Sequence, residues 1–130
     1  MYKLYFDGAS RGNPGKASYG GVIITPFDTE LITYKNVLPD KTSNNVAEYT
    51  GLLEGLKIAN MYCIENLEVY GDSILVINQL NGEWKVKHPN MEVLYKKCKF
   101  YQEKFKHIEF NHVKRNLNKR ADALANEALD

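Results

Sequence analysis

The 130-residue sequence is poor in cysteine and has no long apolar run. Its two cysteines, Cys63 and Cys98, are too few for a disulfide-stabilised scaffold or a cysteine zinc site, and we expect both thiols to be reduced. No stretch approaches the roughly 20 apolar residues of a transmembrane helix. The N-terminus becomes acidic at Asp7, too early for a secretory signal. We therefore expect a cytoplasmic protein without membrane contact.

The composition is that of one ordinary globular domain. Hydrophobic residues make up 44% and charged residues 25% of the chain, which argues against disorder. The length matches a single domain of roughly 100–150 residues. We expect residues 1–130 to form one domain, and nothing in the pattern calls for more than a monomer.

A net charge of +1 conceals two oppositely charged parts. Residues 84–120 hold eleven Lys/Arg against three Glu, a surplus of +8, and the remaining residues hold six Lys/Arg against thirteen Asp/Glu, a balance of −7. This division suits a polyanionic partner together with a carboxylate-rich site. A solvated lysine-rich helix would account for the basic part equally well.

The periodicity of apolar residues predicts an α/β fold with the element order βββαβααβα. Strands are expected over 2–6, 18–25, 30–37, 66–71 and 107–113, and helices over about 46–59, 73–80, 90–104 and 119–129. Short turns should make the first three strands antiparallel, and crossover connections should add the last two in parallel. The result would be a five-stranded mixed sheet flanked by helices. The segment 8–15, rich in Gly, Asn and Pro, is predicted to be a turn.

Four acids occupy positions that suggest chemistry. Asp7 and Asp72 each follow a predicted strand, Glu48 lies on the apolar stripe of the first helix, and Asp122 lies in the first turn of the last. Each also has a structural explanation: turn formation for the first two, a capping box with Asn45 for Glu48, and the helix dipole for Asp122. Carboxylates gathered at one end of a sheet repel one another, and a bound divalent cation offsets that repulsion.

The donor atoms favour Mg²⁺, with Mn²⁺ as a substitute, because all of them are carboxylate oxygens. His88, His107 and His112 show no ligand spacing, which argues against zinc. Two such ions on shared carboxylates activate a water and stabilise the leaving oxygen in phosphodiester cleavage. The basic segment 84–120 would then hold the phosphate backbone.

Four motifs, in order along essentially the whole chain, resemble those of type 1 ribonuclease H. They are DGASRGNPG at 7–15, TSNNVAE at 42–48, GDS at 71–73, and HVKR, Asn118 and ADALAN between 112 and 126. The resemblance implies a ribonuclease H-like fold and a minimal catalytic core without a hybrid-binding domain. It also implies an endonuclease that cuts the RNA strand of RNA–DNA hybrids and leaves 5′-phosphate and 3′-OH ends.

The resemblance further assigns roles to individual residues. It implies that Asp7 bridges two metal ions, that Asp122 helps to hold the ion carrying the attacking water, and that Glu48 and Asp72 hold the ion beside the leaving oxygen. Many members carry a histidine in a longer loop before the last aspartate. That histidine helps proton movement or product release. This chain has none there, and Arg115 is the candidate for the same role, with a phosphate contact or an exposed charge as alternatives.

The substrate contacts implied by the resemblance lie mainly in the first two motifs. Glu48 and the first turn would read the 2′-OH that distinguishes RNA from DNA. The candidate substrate-binding residues are Ser10, Arg11, Gly12, Asn13, Thr42, Asn44, Asn45, Trp84 and Asn118. Turn and cap chemistry would also explain the asparagines, and packing at the rim would explain Trp84. The lysine- and tryptophan-rich handle of many members is shorter here, with Trp84 as its single aromatic residue.

Three other functions compete with an active hybrid ribonuclease. They are a nucleic-acid-binding module on the same fold, a different nuclease on a related fold, and a structural protein with an acidic rim. Retention of all four acids favours an enzyme over the first, and absence of any Mg²⁺ or Mn²⁺ effect on Asp7 or Asp72 would support the third. The first turn and the paired asparagines of the second motif favour the hybrid ribonuclease over other nucleases.

Overall fold

The computed structural model describes residues 1–130 and contains one sheet, four α-helices and a 3₁₀ turn. The strands are β1 (Tyr2–Gly12), β2 (Gly15–Ile24), β3 (Glu30–Val37), β4 (Asn66–Gly71) and β5 (His107–His112). The helices are α1 (Asn44–Met61), α2 (Ile74–Leu80), α3 (Pro89–Gln102) and α4 (Lys119–Leu129), and the 3₁₀ turn is Arg115–Leu117. Apart from that turn, the predicted element order is confirmed.

The sheet combines antiparallel and parallel pairing, as expected. The strand order is β3-β2-β1-β4-β5. Strands β1, β2 and β3 pair antiparallel, whereas β4 is parallel to both β1 and β5. The predicted five-stranded mixed sheet is therefore confirmed. None of the helices is long and apolar enough to cross a membrane.

The prediction of a turn over 8–15 is wrong for most of that segment. Strand β1 continues to Gly12 and pairs with β2 as far as Gly15, which leaves only Asn13 and Pro14 as the turn. Backbone pairing with β2 prevails over the local preference of Gly, Ser and Asn for turns, as tertiary context often does. Gly12 has a φ of 98°, a conformation that glycine adopts without strain.

Asp7 consequently lies within β1 rather than at its end, yet it still reaches the expected edge of the parallel part of the sheet. The neighbouring strand β4 is short and ends at Gly71. Tyr5 is paired with Tyr70 in the parallel register, which puts Asp7 level with Asp72. The shorter strand thus defines the edge at which the two acids meet.

Helices pack closely against the sheet where glycines stand in the strands. A Cβ on Gly8 would lie 2.5 Å from the Glu48 nitrogen and 2.6 Å from the Ala47 carbonyl carbon, both in α1. A Cβ on Gly20 of β2 would lie 2.6 Å from the Ala125 nitrogen of α4. Both helices therefore rest directly on the strand backbone. The main core lies between the sheet, α1, α2 and α3.

We expect Gly8→Ala to destabilise the protein by about 3 kcal/mol, at the upper end of typical overpacking costs. The added methyl would meet backbone atoms of α1, which cannot move without shifting the helix from β1. Gly82→Ala is the comparison, because Gly82 has a positive φ but no atom within 4 Å of the new Cβ, so only backbone strain of roughly 1 kcal/mol is expected. Urea denaturation measures both, and equal costs would contradict the close contact.

Candidate active site

The structure brings the four predicted acids to one region from four separate elements. Asp7 lies in β1, Glu48 in the second turn of α1, Asp72 directly after β4, and Asp122 in the first turn of α4. Ligand oxygens of Asp7, Glu48 and Asp72 all lie within 4.8 Å of one another. Asp122 lies outside that close group but lines the same cavity. Such spacing suits carboxylates that share a cation.

The two innermost carboxylates are buried, which raises their pKa values. Asp7 is 3% exposed and Glu48 is 4% exposed. Burial is the main cause that raises the pKa of Asp7 to about 7; a hydrogen bond with Glu48 opposes the rise, and the negative charge of Asp72 adds to it. Burial, followed by the charge of Asp7, places the pKa of Glu48 well above its usual range. The pair can be fully ionised at neutral pH only if positive charge is supplied.

Glu48 does not cap its helix, so one structural explanation for it is excluded. The N-cap of α1 is Ser43, whose side chain accepts a hydrogen bond from the Val46 N–H at 3.2 Å. Glu48 Oε2 is buried and has no hydrogen-bond partner. A buried carboxylate oxygen without a partner destabilises the folded protein when no ligand is bound. It fits a site whose missing partner is a cation bound by oxygen ligands.

The acids open onto a polar cavity of about 690 Å³ with a single hydrophobic residue in its lining. Several predicted substrate-binding residues line it together with the acids. The lining residues are Asp7, Gly8, Ala9, Ser10, Gly12, Asn13, Asn44, Glu48, Asp72, Arg115, Asp122 and Asn126. The Asn44 N–H donates to Asn13 Oδ1 at 3.1 Å, so the β1–β2 turn and the start of α1 form one continuous wall.

Arg115 stands at the mouth of this cavity on the 3₁₀ turn. Its Nη2 lies 3.8 Å from Asp122 Oδ1, and its side chain is 82% exposed. A loose, exposed ion pair of this kind contributes little to stability. The guanidinium is therefore free to contact a ligand in the cavity.

Three predicted substrate-binding residues in the first two motifs do not line the cavity. Arg11 forms an ion pair with Asp130 at the end of α4. Thr42 Oγ donates to the Pro39 carbonyl at 2.5 Å, while Asn45 is exposed in the first turn of α1. Their assignment to substrate binding stays a prediction, since surface residues outside a cavity can still meet an extended ligand.

Trp84 and Asn118 are also separate from the cavity, for different reasons. Trp84 is 48% exposed in the segment after α2. Asn118 is 1% exposed and donates from Nδ2 to the Phe6 carbonyl at 2.9 Å and to Asp72 Oδ2 at 3.2 Å. In this conformation Asn118 contacts an acid of the site and presents almost no surface to a substrate.

The structure adds one side chain that the sequence reasoning did not include among the site residues. Asn126 lines the cavity and donates from Nδ2 to Asp122 Oδ1 at 3.2 Å and to the Asp122 carbonyl at 2.9 Å. Residues four apart on a helix are neighbours, so the spacing of Asp122 and Asn126 could have indicated this contact.

A mixed five-stranded sheet with acids from β1, α1, the end of β4 and α4 at one polar cavity defines the ribonuclease H-like class of proteins. Residues 5–128 match a family model described as "Reverse transcriptase-like". The chain is 31% identical over 144 residues to ribonuclease H of Clostridium botulinum, covering 98% of this chain and 94% of that protein. The chain belongs to the ribonuclease H family.

Other relatives are more similar in sequence. Ribonuclease HI of Halobacterium salinarum is 40% identical over 126 residues, covering 97% of this chain and 63% of that protein. A bifunctional protein of Mycobacterium tuberculosis is 41% identical over 124 residues, covering 95% of this chain. The chain spans only 34% of that mycobacterial protein.

Solved structures agree with the family assignment. The crystal structure of RNase H1 from Halobacterium salinarum has a TM-score of 0.95 at 38% identity, covering 99% of this chain and 97% of that one. LC11-RNase H1 in complex with RNA/DNA hybrid has a TM-score of 0.94 at 34% identity, covering 100% of this chain and 97% of that one. Both similarities cover essentially the whole of this chain.

Asp7 should make the metal-free protein less stable as the pH rises from about 4 to about 7. Its pKa is raised from 3.8 to about 7 in the folded state, so the folded state binds more protons than the unfolded state over this range. We expect Asp7→Asn to raise the melting temperature at neutral pH and to leave it nearly unchanged at acidic pH. Thermal denaturation without divalent cations measures this.

The same substitution at the exposed Asp40 is the matched control for this measurement. A stabilisation by Asp7→Asn that is equal at acidic and neutral pH would contradict the raised pKa.

Proposed function

We propose that this chain is a divalent-cation-dependent endoribonuclease that cuts the RNA strand of RNA–DNA hybrids and leaves 5′-phosphate and 3′-OH ends. The observation that carries the proposal is the convergence of four carboxylates, two of them buried, at one open polar cavity. The family of the chain and the hybrid bound to LC11-RNase H1 support it.

Asp7, Glu48, Asp72 and Asp122 would hold the cations, and all-oxygen ligands favour two Mg²⁺ ions, with Mn²⁺ as a substitute. When bound, such ions lower the pKa of water and stabilise the charge that develops on the leaving oxygen. The chain contributes fixed anionic ligands, and Glu48 Oε2 is one oxygen free to take this role. No nucleophile from the protein is required.

The cavity wall would recognise the sugar of the RNA strand. Ser10 and Gly12 line the cavity beside Asp7, where backbone groups without bulky side chains can approach a 2′-OH. Asn13 and Asn44 are joined by a hydrogen bond at 3.1 Å and would contact the minor groove. These contacts would make cleavage specific for the RNA strand.

The basic segment 84–120 would bind the phosphates of the hybrid. Some of its lysines already have protein partners: Lys96 Nζ lies 3.0 Å from Glu92, and Lys99 Nζ donates to the Leu80 carbonyl at 3.3 Å. Lys97, which lies between them in α3, and the half-exposed Trp84 would contact the DNA strand. Binding through phosphate contacts weakens as salt concentration rises.

Arg115 would contact the phosphate at the cavity mouth, close to Asp122. A guanidinium keeps its proton in a protein, so Arg115 cannot serve as a general base. It can stabilise the charge that develops on the phosphate or assist release of the 5′-phosphate product. This limits its role to electrostatics.

The direct test is cleavage of an end-labelled RNA–DNA hybrid in Mg²⁺ by the wild type and by Asp7→Asn. The substitution preserves the shape of the side chain and removes its charge, and we expect cleavage to fall by about 1,000-fold or more, as for loss of a central electrostatic group. Asp40→Asn is the exposed control and should cut at the wild-type rate.

Absence of hybrid cleavage by folded wild type in Mg²⁺ or Mn²⁺ would refute the proposal. Hybrid binding without cleavage would then indicate a binding module. Equal cleavage by the wild type and Asp7→Asn would indicate a contaminating nuclease or a reaction at another site, and would contradict the role given to Asp7.

Arg115→Ala should lower kcat by about tenfold to a hundredfold, because a charge that stabilises the transition state is lost. Arg115→Lys should retain part of the activity, since it keeps the charge but not the planar geometry. Steady-state kinetics on the hybrid separate kcat from KM. An increase in KM alone would instead assign Arg115 to substrate binding.

A further inference from the structure

Asn118 connects the segments that carry three of the four acids. Its side-chain Nδ2 donates to the Phe6 carbonyl at 2.9 Å, one residue before Asp7, and to Asp72 Oδ2 at 3.2 Å. Its own carbonyl accepts from the Asp122 N–H at 3.1 Å. One buried residue thus contacts β1, the segment after β4, and the first turn of α4.

The orientation of the Asn118 amide is determined by its neighbours. Both atoms near Nδ2 are acceptors, so reversing the amide would place its oxygen against the Phe6 carbonyl and the Asp72 carboxylate. In the orientation present, Asn118 Oδ1 is buried without a hydrogen-bond partner. The residue therefore keeps both Nδ2 hydrogen bonds, one to β1 and one to Asp72, although its own Oδ1 has no partner.

The hydrogen bond to Asp72 has a consequence for cation binding. It fixes Asp72 Oδ2 against the protein, and the other carboxylate oxygen of Asp72 accepts no hydrogen bond from the chain. Because a carboxylate held by an amide donor cannot rotate freely, that second oxygen keeps a defined position relative to Asp7 and Glu48. Partners that orient a ligand in this way contribute strongly to metal affinity.

We infer that Asn118 is a positioning residue that orients Asp72 for cation binding, rather than a residue that contacts the substrate. The inference deepens the proposed function, since it concerns the same acids. It differs from the expectation drawn from the sequence motif, which placed Asn118 among the substrate contacts.

The test compares the wild type with Asn118→Ala, and with Asn116→Ala as the matched control. Asn116 is an exposed asparagine two residues away in the 3₁₀ turn. Calorimetry measures the Mg²⁺ dissociation constant of each protein without substrate. Fluorescence anisotropy in EDTA measures affinity for an RNA–DNA hybrid, and thermal denaturation measures stability.

We expect Asn118→Ala to raise the Mg²⁺ dissociation constant by about tenfold to a hundredfold, with hybrid affinity within about twofold of the wild type. Asn116→Ala should change neither. A lower melting temperature with unchanged Mg²⁺ affinity would overturn the inference in favour of a structural role. A loss of hybrid affinity with unchanged Mg²⁺ affinity would overturn it in favour of a substrate contact.

A second measurement needs no variant and decides the question if Asn118→Ala does not fold. In ¹⁵N-labelled wild type, the side-chain amide signals of Asn118 should shift on Mg²⁺ addition and saturate with the calorimetric dissociation constant, whereas those of Asn116 should not. An unchanged Asn118 signal at saturating Mg²⁺ would overturn the inference. If the wild type binds Mg²⁺ but cuts no hybrid, the proposed function fails while Mg²⁺ affinity still tests the role of Asn118.

Discussion

Two carboxyl groups, Asp7 and Glu48, are buried side by side where α1 crosses β1. The crossing is close because Gly8 has no side chain to hold the helix away. Burial raises the pKa of both acids, so the folded chain carries an electrostatic cost that a divalent cation would remove. The cavity, its polar walls and the exposed Arg115 all surround this buried pair of acids.

The remaining acids reach the site through long-range contacts. Asp72 arrives because β4 ends beside the middle of β1, and Asp122 arrives because α4 packs on the first three strands. Ser18 donates a hydrogen bond to the Ala125 carbonyl. Because Gly20 has no side chain, the same turn of α4 can lie directly against β2. The exposed ion pairs of α4, such as Arg120 with Glu30, contribute little beside this packing.

Most of the fold could be predicted from the sequence because apolar periodicity records which face of each element is buried. The element order and mixed sheet follow from it, and β4 and β3 match the predicted ranges. The predictions failed where pairing with residues distant in sequence, rather than local composition, determines the structure. Residues 8–12 have turn-forming composition, but antiparallel pairing with β2 makes them part of β1. Similarly, the burial of Asn118 depends on β1 and Asp72, which are remote in sequence, so a motif alone could not distinguish it from a surface residue.

The central claim is that the acid cluster exists to bind divalent cations, and anomalous diffraction from crystals soaked in Mn²⁺ tests it most directly. The account predicts anomalous peaks within coordination distance of Asp7, Glu48 and Asp72, with Asp122 beside a second peak once substrate is bound. No peak at these carboxylates in crystals that take up Mn²⁺ elsewhere would contradict it. The buried charges would then need another explanation.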